Sequence, residues 1–114
     1  MKLIIFGGRD FNDHALLIST LNELQIPDDT ELVSGMARGA DILAYNVWKS
    51  LNLTVHEFPA DWDKYGKSAG YRRNTDMGHF ADAGLGFWDG NSRGTKHMID
   101  TLKNLNKQLH VVRY

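Results

Sequence analysis

The fold is decided by one stretch of sequence, Phe87-Trp88-Asp89-Gly90-Asn91-Ser92-Arg93-Gly94-Thr95-Lys96. Its first residues are apolar, its middle is a turn of small and polar residues, and an amphipathic segment follows. The apolar positions of that segment are Met98, Ile99, Leu102 and Leu105. Spacings of three and four residues are typical of one helix face, so the stretch predicts a strand, a tight loop and a helix in succession.

The loop of this stretch combines several features that favour an anion. A helix start leaves backbone N–H groups unpaired and carries partial positive charge. Gly90 and Gly94 let the backbone approach a ligand closely. Ser92 and Thr95 can cap the helix or donate to a phosphate oxygen, and Arg93 adds formal charge. A simple capping turn is the alternative, but it requires neither Arg93 nor so many small residues, so we expect the loop to hold a phosphate.

Short apolar segments and amphipathic segments alternate along the rest of the chain. The predicted strands cover 2–6, 31–33, 53–58, 83–88 and 109–112. Three further helices are predicted. One carries Leu17, Leu21 and Leu24 on one face, and another carries Leu43, Val47 and Leu51 on one face with Ala44 and Trp48 beside them. The third covers 69–80 and is capped by Ser68. The alternation predicts an α/β fold, a three-layer Rossmann-like domain whose parallel sheet of about five strands carries helices on both faces. Residues 1–114 are predicted to form a single domain.

The candidate ligand-binding residues follow the predicted strands. In parallel α/β sheets, ligands bind at the carboxyl ends of strands, near the point where the strand order reverses. The candidates at this edge are Gly8, Arg9, Ser34, Gly35, Arg38, Gly39, Asp41, Trp62, Arg73, Asn74, Asp89, Gly90, Ser92, Arg93, Gly94 and Thr95. Five of the six arginines lie in or beside these loops, which indicates an anion site at this edge.

These arginines have a second explanation, because acidic residues share the same edge. Arg38 could pair with Asp41 across a tight turn, and the residues alone leave this alternative level with ligand binding. Arg73 lies near the start of the helix over 69–80, where a cation is unfavourable unless an anion is close. Either a ligand or an acid such as Asp61 would supply that anion.

Two aromatic residues and two carboxylates need separate consideration. Trp62 can stack on a base, whereas Tyr65 is expected in the core or in an interface. Asp41 and Asp89 are the only catalytic candidates, as a general base or a ribose contact, although fixing loop geometry is the favoured role for both.

The five histidines show no metal-ligand spacing and cysteine is absent, so no metal site is expected.

Four motifs occur in order along nearly the whole chain. They are Gly8-Arg9-Asp10-Phe11, Ser34-Gly35-Met36-Ala37-Arg38-Gly39-Ala40-Asp41, Asp61-Trp62…Tyr65-Gly66-Lys67…Ala69-Gly70…Arg73-Asn74, and Trp88-Asp89-Gly90-Asn91-Ser92-Arg93-Gly94-Thr95. In this combination the chain resembles the YpsA/YspA-related branch of the SLOG superfamily, which also includes DprA and the LOG phosphoribohydrolases. The resemblance implies a Rossmann-like domain, a nucleotide or nucleotide-derived ligand, a cytoplasmic location and often self-association into a homo-oligomer, in bacteria or their phages.

One departure from the LOG pattern bears on catalysis. LOG enzymes place a Glu, which acts in N-glycosidic cleavage, three residues after the Thr of their glycine-rich loop, and Met98 stands at that position here. We therefore expect a nucleotide-binding or nucleotide-sensing module rather than a catalyst. A LOG-like nucleotide hydrolase is the alternative. A DprA-like single-stranded DNA binder is the third hypothesis, which the net charge of −1 disfavours because nucleic-acid affinity depends on neutralising phosphates.

The bulk composition narrows the expected partners. The chain is 42% hydrophobic, and it contains neither an apolar run long enough to cross a bilayer nor a charged-then-apolar leader. No membrane partner and no resident cofactor are expected. The expected ligand is a small phosphorylated, nucleotide-like molecule.

Overall fold

A computed structural model of the chain describes residues 1–114. Its five strands are β1 (Lys2–Gly7), β2 (Glu31–Ser34), β3 (Val55–Glu57), β4 (Ala83–Trp88) and β5 (Gln108–Arg113). They form one sheet in the order β3-β2-β1-β4-β5, and each neighbouring pair is parallel. The predicted Rossmann-like α/β fold with a parallel sheet of five strands is confirmed.

Helices cover both faces of the sheet. They are α1 (His14–Glu23), α2 (Ala40–Ser50), α3 (Trp62–Tyr65), α4 (Ala69–Phe80) and α5 (Arg93–Asn104), with a 3₁₀ helix at Gly66–Ser68 between α3 and α4. None of them is both long enough and apolar enough to cross a membrane. The α1 helix begins after Asp13, whose carboxylate accepts a hydrogen bond from the Leu16 N–H, as an N-cap residue should.

Two apolar cores hold the three layers together. One lies between the sheet and the helices α1 and α2, where Ile5 and Trp48 are buried in the same cluster. The other lies beneath α4 and α5, where Ile4 is buried with Met77 and Leu102. Consecutive strand residues point to opposite faces, so Ile4 and Ile5 face different cores.

The buried face of α2 differs from the predicted one. Leu43, Val47 and Leu51 were expected on one face with Ala44 and Trp48 beside them, and Ala44 and Trp48 are indeed buried. Leu43 and Val47 are only partly buried against the core, and Leu51 is 62% exposed. The reason is that α2 ends at Ser50 and contacts the sheet through Ala40, Ala44 and the Trp48 ring. Leucine and valine therefore lie at the margin of the contact rather than at its centre.

The connection before α4 is more regular than the sequence indicated. It contains α3, which begins after Asp61 because that carboxylate accepts a hydrogen bond from the Lys64 N–H at 3.1 Å. The prediction that Ser68 caps α4 is wrong, since its hydroxyl donates to the Tyr65 carbonyl instead. The 3₁₀ helix continues directly into α4, which leaves no extended cap residue at this boundary. Tyr65 itself is 38% exposed and is not a core residue.

The strand order reverses at β1. From β1 the chain fills the β2 and β3 side of the sheet and then crosses to β4 and β5 on the other side. Since α1 and α5 pack on opposite faces, the loops that follow β1 and β4 diverge and leave a crevice between them.

Candidate functional site

A cleft of about 420 Å³ opens at the carboxyl ends of β1 and β4, in this crevice. Nine of the candidate residues line it: Gly8, Arg9, Asp41, Arg73, Asn74, Asp89, Ser92, Gly94 and Thr95. Phe6, Met77 and Met98 supply apolar lining. Residues from the loops after β1, β2 and β4 and from α4 therefore meet at one edge of the sheet.

The cleft continues into two smaller hollows of about 300 Å³ and 230 Å³. Arg9 and Arg73 line the cleft and both hollows, and Trp62 lines both hollows. The larger hollow also contains Gly35 and Arg38. Two guanidinium groups thus stand where the three spaces join, with an indole beside them that is 54% exposed.

No arginine of this protein pairs with an acid. The two ion pairs within 4.0 Å join His56 to Glu31 and Lys96 to Asp100. Two alternative explanations of the arginines are therefore wrong for this structure. Arg38 does not pair with Asp41, and the arginines of α4 do not pair with an acid before that helix such as Asp61. The guanidinium groups of Arg9 and Arg73 in the cleft therefore have no ion-pair partner in the protein and can attract a bound anion.

Arg73 is held in place by neutral acceptors. Its guanidinium donates to the Gly35 carbonyl and, at 3.1 Å, to the Asn74 side-chain oxygen. Burial lowers the pKa of Arg73, the Asp41 charge opposes that effect, and the like charge of Arg9 lowers the pKa further. The two arginines are therefore close enough to repel each other, and an anion between them would relieve that repulsion.

Two carboxylates of the cleft are held by donors other than arginine. The Asp89 Oδ1 accepts hydrogen bonds from the N–H groups of Asn91 and Ser92, both at 2.8 Å. These N–H donors lower the pKa of Asp89 and fix the loop after β4. The Asp10 Oδ1 accepts a hydrogen bond from the Tyr114 hydroxyl at 2.6 Å. Asp89 therefore fixes loop geometry, which was the role favoured for it over catalysis.

Asp41 is the third carboxylate of the cleft and the only one that is buried. It is 5% exposed and accepts one long hydrogen bond, from the Ala37 N–H at 3.4 Å. Burial raises the pKa of Asp41 to about 6, and the charge of Arg73 partly opposes this. A carboxyl group with such a pKa can exchange a proton near neutral pH.

The start of α5 presents free backbone donors. The Ser92 hydroxyl accepts a hydrogen bond from the Thr95 N–H at 3.4 Å and lies 2.9 Å from the Thr95 hydroxyl. The Trp88 indole N–H donates to the Ser92 carbonyl and fixes the turn. The N–H groups of Arg93 and Gly94 have no acceptor within the protein. A bound oxyanion could satisfy them.

Comparison with known proteins identifies the family. A model described as YAcAr, the YspA, cpYpsA-related SLOG family, matches residues 1–65. The chain belongs to this family. It is also 36% identical over 106 residues to the Gene 61 protein of Mycobacterium phage D29, which covers 86% of this chain and 85% of that protein. No solved structure matches it significantly.

Four candidate residues of this YAcAr chain line neither the cleft nor its two hollows. Ser34 is fully buried and its hydroxyl accepts a hydrogen bond from the Met36 N–H. Gly39 packs against the β1 loop, Gly90 lies beside the end of β5, and Arg93 is exposed at the start of α5. The structure therefore puts Arg73, rather than Arg93, together with Arg9.

The candidate list for this YAcAr chain missed the cleft residues Phe6, Asp10 and Met77 and the residue Tyr114, which bonds to Asp10. Asp10 belongs to the first motif, so its position was available as a signal. Met77 and Phe6 carry only the apolar pattern of a helix and a strand. Tyr114 carries no signal at all, because it reaches the β1 loop only through the pairing of β5 with β4.

Proposed function

We propose that residues 1–114 act as a nucleotide-binding or nucleotide-sensing domain that holds a ligand phosphate at the start of α5. Membership of a SLOG family supports a nucleotide-related ligand in general. One observation carries the finer proposal: Arg9 and Arg73 line a cleft at the strand-order reversal without any acid partner, whereas two nearby carboxylates, Asp10 and Asp89, are held by neutral donors.

The phosphate is assigned to the loop after β4 for three physical reasons. The N–H groups of Arg93 and Gly94 are free, and the α5 dipole adds partial positive charge beside them. A Cβ added to Gly94 would meet nothing within 4 Å, so the space in front of this turn is open. The Ser92 hydroxyl caps the helix and contacts the Thr95 hydroxyl, and each of the two hydroxyls retains capacity for a further hydrogen bond.

The rest of the ligand would occupy the adjoining hollows. Trp62 offers an exposed aromatic face for a base, and Arg38 adds charge to the same hollow. Asp41, Asn74 and Ser92 line the cleft, where ribose hydroxyls would meet hydrogen-bonding partners. The cleft alone has a volume typical of small-molecule sites.

Replacing Arg9 with Ala is expected to weaken nucleotide binding about ten- to a hundredfold, because charge-assisted hydrogen bonds contribute roughly 1.5–3 kcal/mol each. Arg9 is exposed and outside the core, so the variant should fold normally. Titration calorimetry with a panel of nucleoside mono-, di- and triphosphates and dinucleotides measures the effect. A bound nucleotide also stabilises the fold by mass action, so thermal shifts give a second readout.

Arg72→Ala is the matched control for this experiment. Arg72 lies on α4 beside Arg73, but its guanidinium sits over the Tyr65 ring and donates to the Ser68 hydroxyl, outside the cleft. Equal losses from Arg9→Ala and Arg72→Ala would indicate a general charge effect and contradict a site in the cleft. Arg93→Ala in the same series decides whether the exposed arginine predicted from the sequence also contributes.

A LOG-like hydrolase is the second candidate, and one observation favours it. Asp41 combines burial in the cleft with a pKa near 6, as a general acid or base requires. Against it, position 98 lines the cleft but is occupied by methionine, which transfers no proton. Incubating the protein with nucleoside monophosphates and assaying for free base decides the question. Release of base that Asp41→Asn abolishes would replace the binding proposal with a catalytic one.

A further inference from the structure

The loop after the central strand β1 is held by a residue that follows the edge strand β5. Tyr114 follows β5, and its hydroxyl donates to the Asp10 carboxylate at 2.6 Å across the end of β4. Its backbone N–H donates to the Trp88 carbonyl at 3.2 Å, which fixes where the side chain begins. Tyr114 therefore joins β5 to the loop that carries Arg9.

The surroundings of the Tyr114 ring are shaped to receive it. Phe11 meets the ring edge-on at 4.9 Å between centroids and stacks on Phe87 at 4.4 Å. A Cβ at Gly8 would lie 1.9 Å from the phenol oxygen, so any other residue at that position would displace the hydroxyl. Partial burial, together with the bond to Asp10, raises the pKa of Tyr114, so the phenol remains a donor over the neutral range.

The acid that Tyr114 holds is the neighbour of the arginine that the proposed site needs. Asp10 and Arg9 are adjacent, both are exposed, and both line the cleft. A carboxylate free to rotate in this turn would be the nearest partner in sequence for the Arg9 guanidinium. No such pair is present, and the Asp10 oxygen is bonded to the phenol instead.

We propose that Tyr114 is a positioning residue that keeps the Asp10 carboxylate away from Arg9 and so leaves the Arg9 guanidinium free for an anion. The role of Arg9 in binding rests on the proposed function. The position of Asp10 does not, and it can be tested without any ligand. Removing the phenol hydroxyl releases Asp10, which then competes with the ligand for Arg9.

The ligand-free test is the rate at which phenylglyoxal modifies Arg9, measured by peptide mass spectrometry and expressed relative to exposed, unpaired Arg38 in the same sample. Tyr114→Phe keeps the ring and its packing, and is expected to slow Arg9 modification two- to fivefold, the range that an exposed ion pair gives. Asp10→Asn alone should leave the rate unchanged. The double variant Tyr114→Phe with Asp10→Asn should recover the wild-type rate, because no carboxylate remains to pair with Arg9.

Two results would overturn the proposal: an unchanged Arg9 rate in Tyr114→Phe, or a slowed rate that Asp10→Asn does not restore, which would indicate a general disturbance of the loop. A second arm measures inorganic pyrophosphate binding by calorimetry, where Tyr114→Phe should weaken binding two- to fivefold and the double variant should restore it. Failure of wild-type protein to bind pyrophosphate, with the labelling pattern intact, would count against the anion site and not against the role of Tyr114.

Discussion

Replacing Asp41 with Asn is expected to stabilise the protein at pH 7, by about 2–3 kcal/mol in the free energy of unfolding. The carboxylate is 5% exposed, and burial raises its pKa from 3.8 to about 6. The charged form of Asp41 is therefore less favourable in the folded state than in the unfolded state, and this lowers the free energy of unfolding at neutral pH. Asparagine has nearly the same shape, carries no charge and avoids this cost.

The pH dependence of this effect has a definite sign. Because the folded pKa of Asp41 lies above the unfolded one, the folded state binds more protons between about pH 4 and pH 6. The wild type should therefore lose stability, relative to Asp41→Asn, as the pH rises through this interval, and the difference should level off above it. Urea denaturation of both proteins at half-unit steps from pH 4 to pH 8 measures the difference directly.

Asp89→Asn is the control of opposite sign. The N–H groups of Asn91 and Ser92 lower the pKa of Asp89, so its contribution to stability is present above the unfolded pKa and is lost as the pH falls. We expect Asp89→Asn to destabilise the protein at pH 7 and to differ less from the wild type in acid. Asp41→Asn would contradict the argument if it were destabilising at pH 7 and neutral at pH 4.

A gain in stability from Asp41→Asn would have a functional meaning. Groups whose environment works against the fold are concentrated at sites of binding and catalysis, where they are kept for what they do to a ligand. Asp41 lies in the cleft at the strand-order reversal, near Arg73 and with only the Ala37 N–H as donor. A carboxylate whose charge destabilises the fold, as that of Asp41 does, fits a group that contacts or protonates a ligand better than one that only caps α2.

Local signals were sufficient to predict the fold. The apolar run predicted over 2–6 has the length and composition of a buried parallel strand and forms β1. The segment 83–88 was predicted as a strand although it contains Gly84 and Gly86, and it forms β4. The loop after β4 could also be predicted from the sequence, because the side chains of Asp89 and Ser92 bond to backbone groups only two or three residues away. Such interactions are fixed by sequence spacing, so the sequence alone contains them.

Side-chain direction at the cleft was not predictable in this way. Arg73 and Arg93 both lie near helix starts in the sequence, but only Arg73 turns inward, because α4 lies beside the β2 loop and lets it bond to Gly35. The Tyr114 bond to Asp10 joins residues 104 positions apart and depends on the register of β5 against β4. These features arise from how helices and strands pack, which no short motif encodes.

Replacing Gly39 with Ala is expected to destabilise the protein by about 3 kcal/mol or more, since backbone strain of roughly 1–3 kcal/mol adds to a steric overlap of similar cost. Gly39 has φ +84° and ψ −129°, a conformation that essentially only glycine adopts. A Cβ there would also lie 2.1 Å from the Gly8 carbonyl oxygen and 2.7 Å from the Arg9 backbone. These atoms belong to a loop that cannot yield without moving Arg9.

Gly66→Ala separates the two causes, because Gly66 has nearly the same backbone, φ +57° and ψ −132°, but nothing within 4 Å of an added Cβ. It should show the strain alone, about 1–3 kcal/mol. The difference between the variants in urea denaturation therefore measures the contact between the loops after β1 and β2. Equal losses would mean that the loops do not press together at Gly39. A larger loss in Gly39→Ala, accompanied by weaker nucleotide binding in protein that remains folded, would mean that this contact sets the position of Arg9 in the cleft.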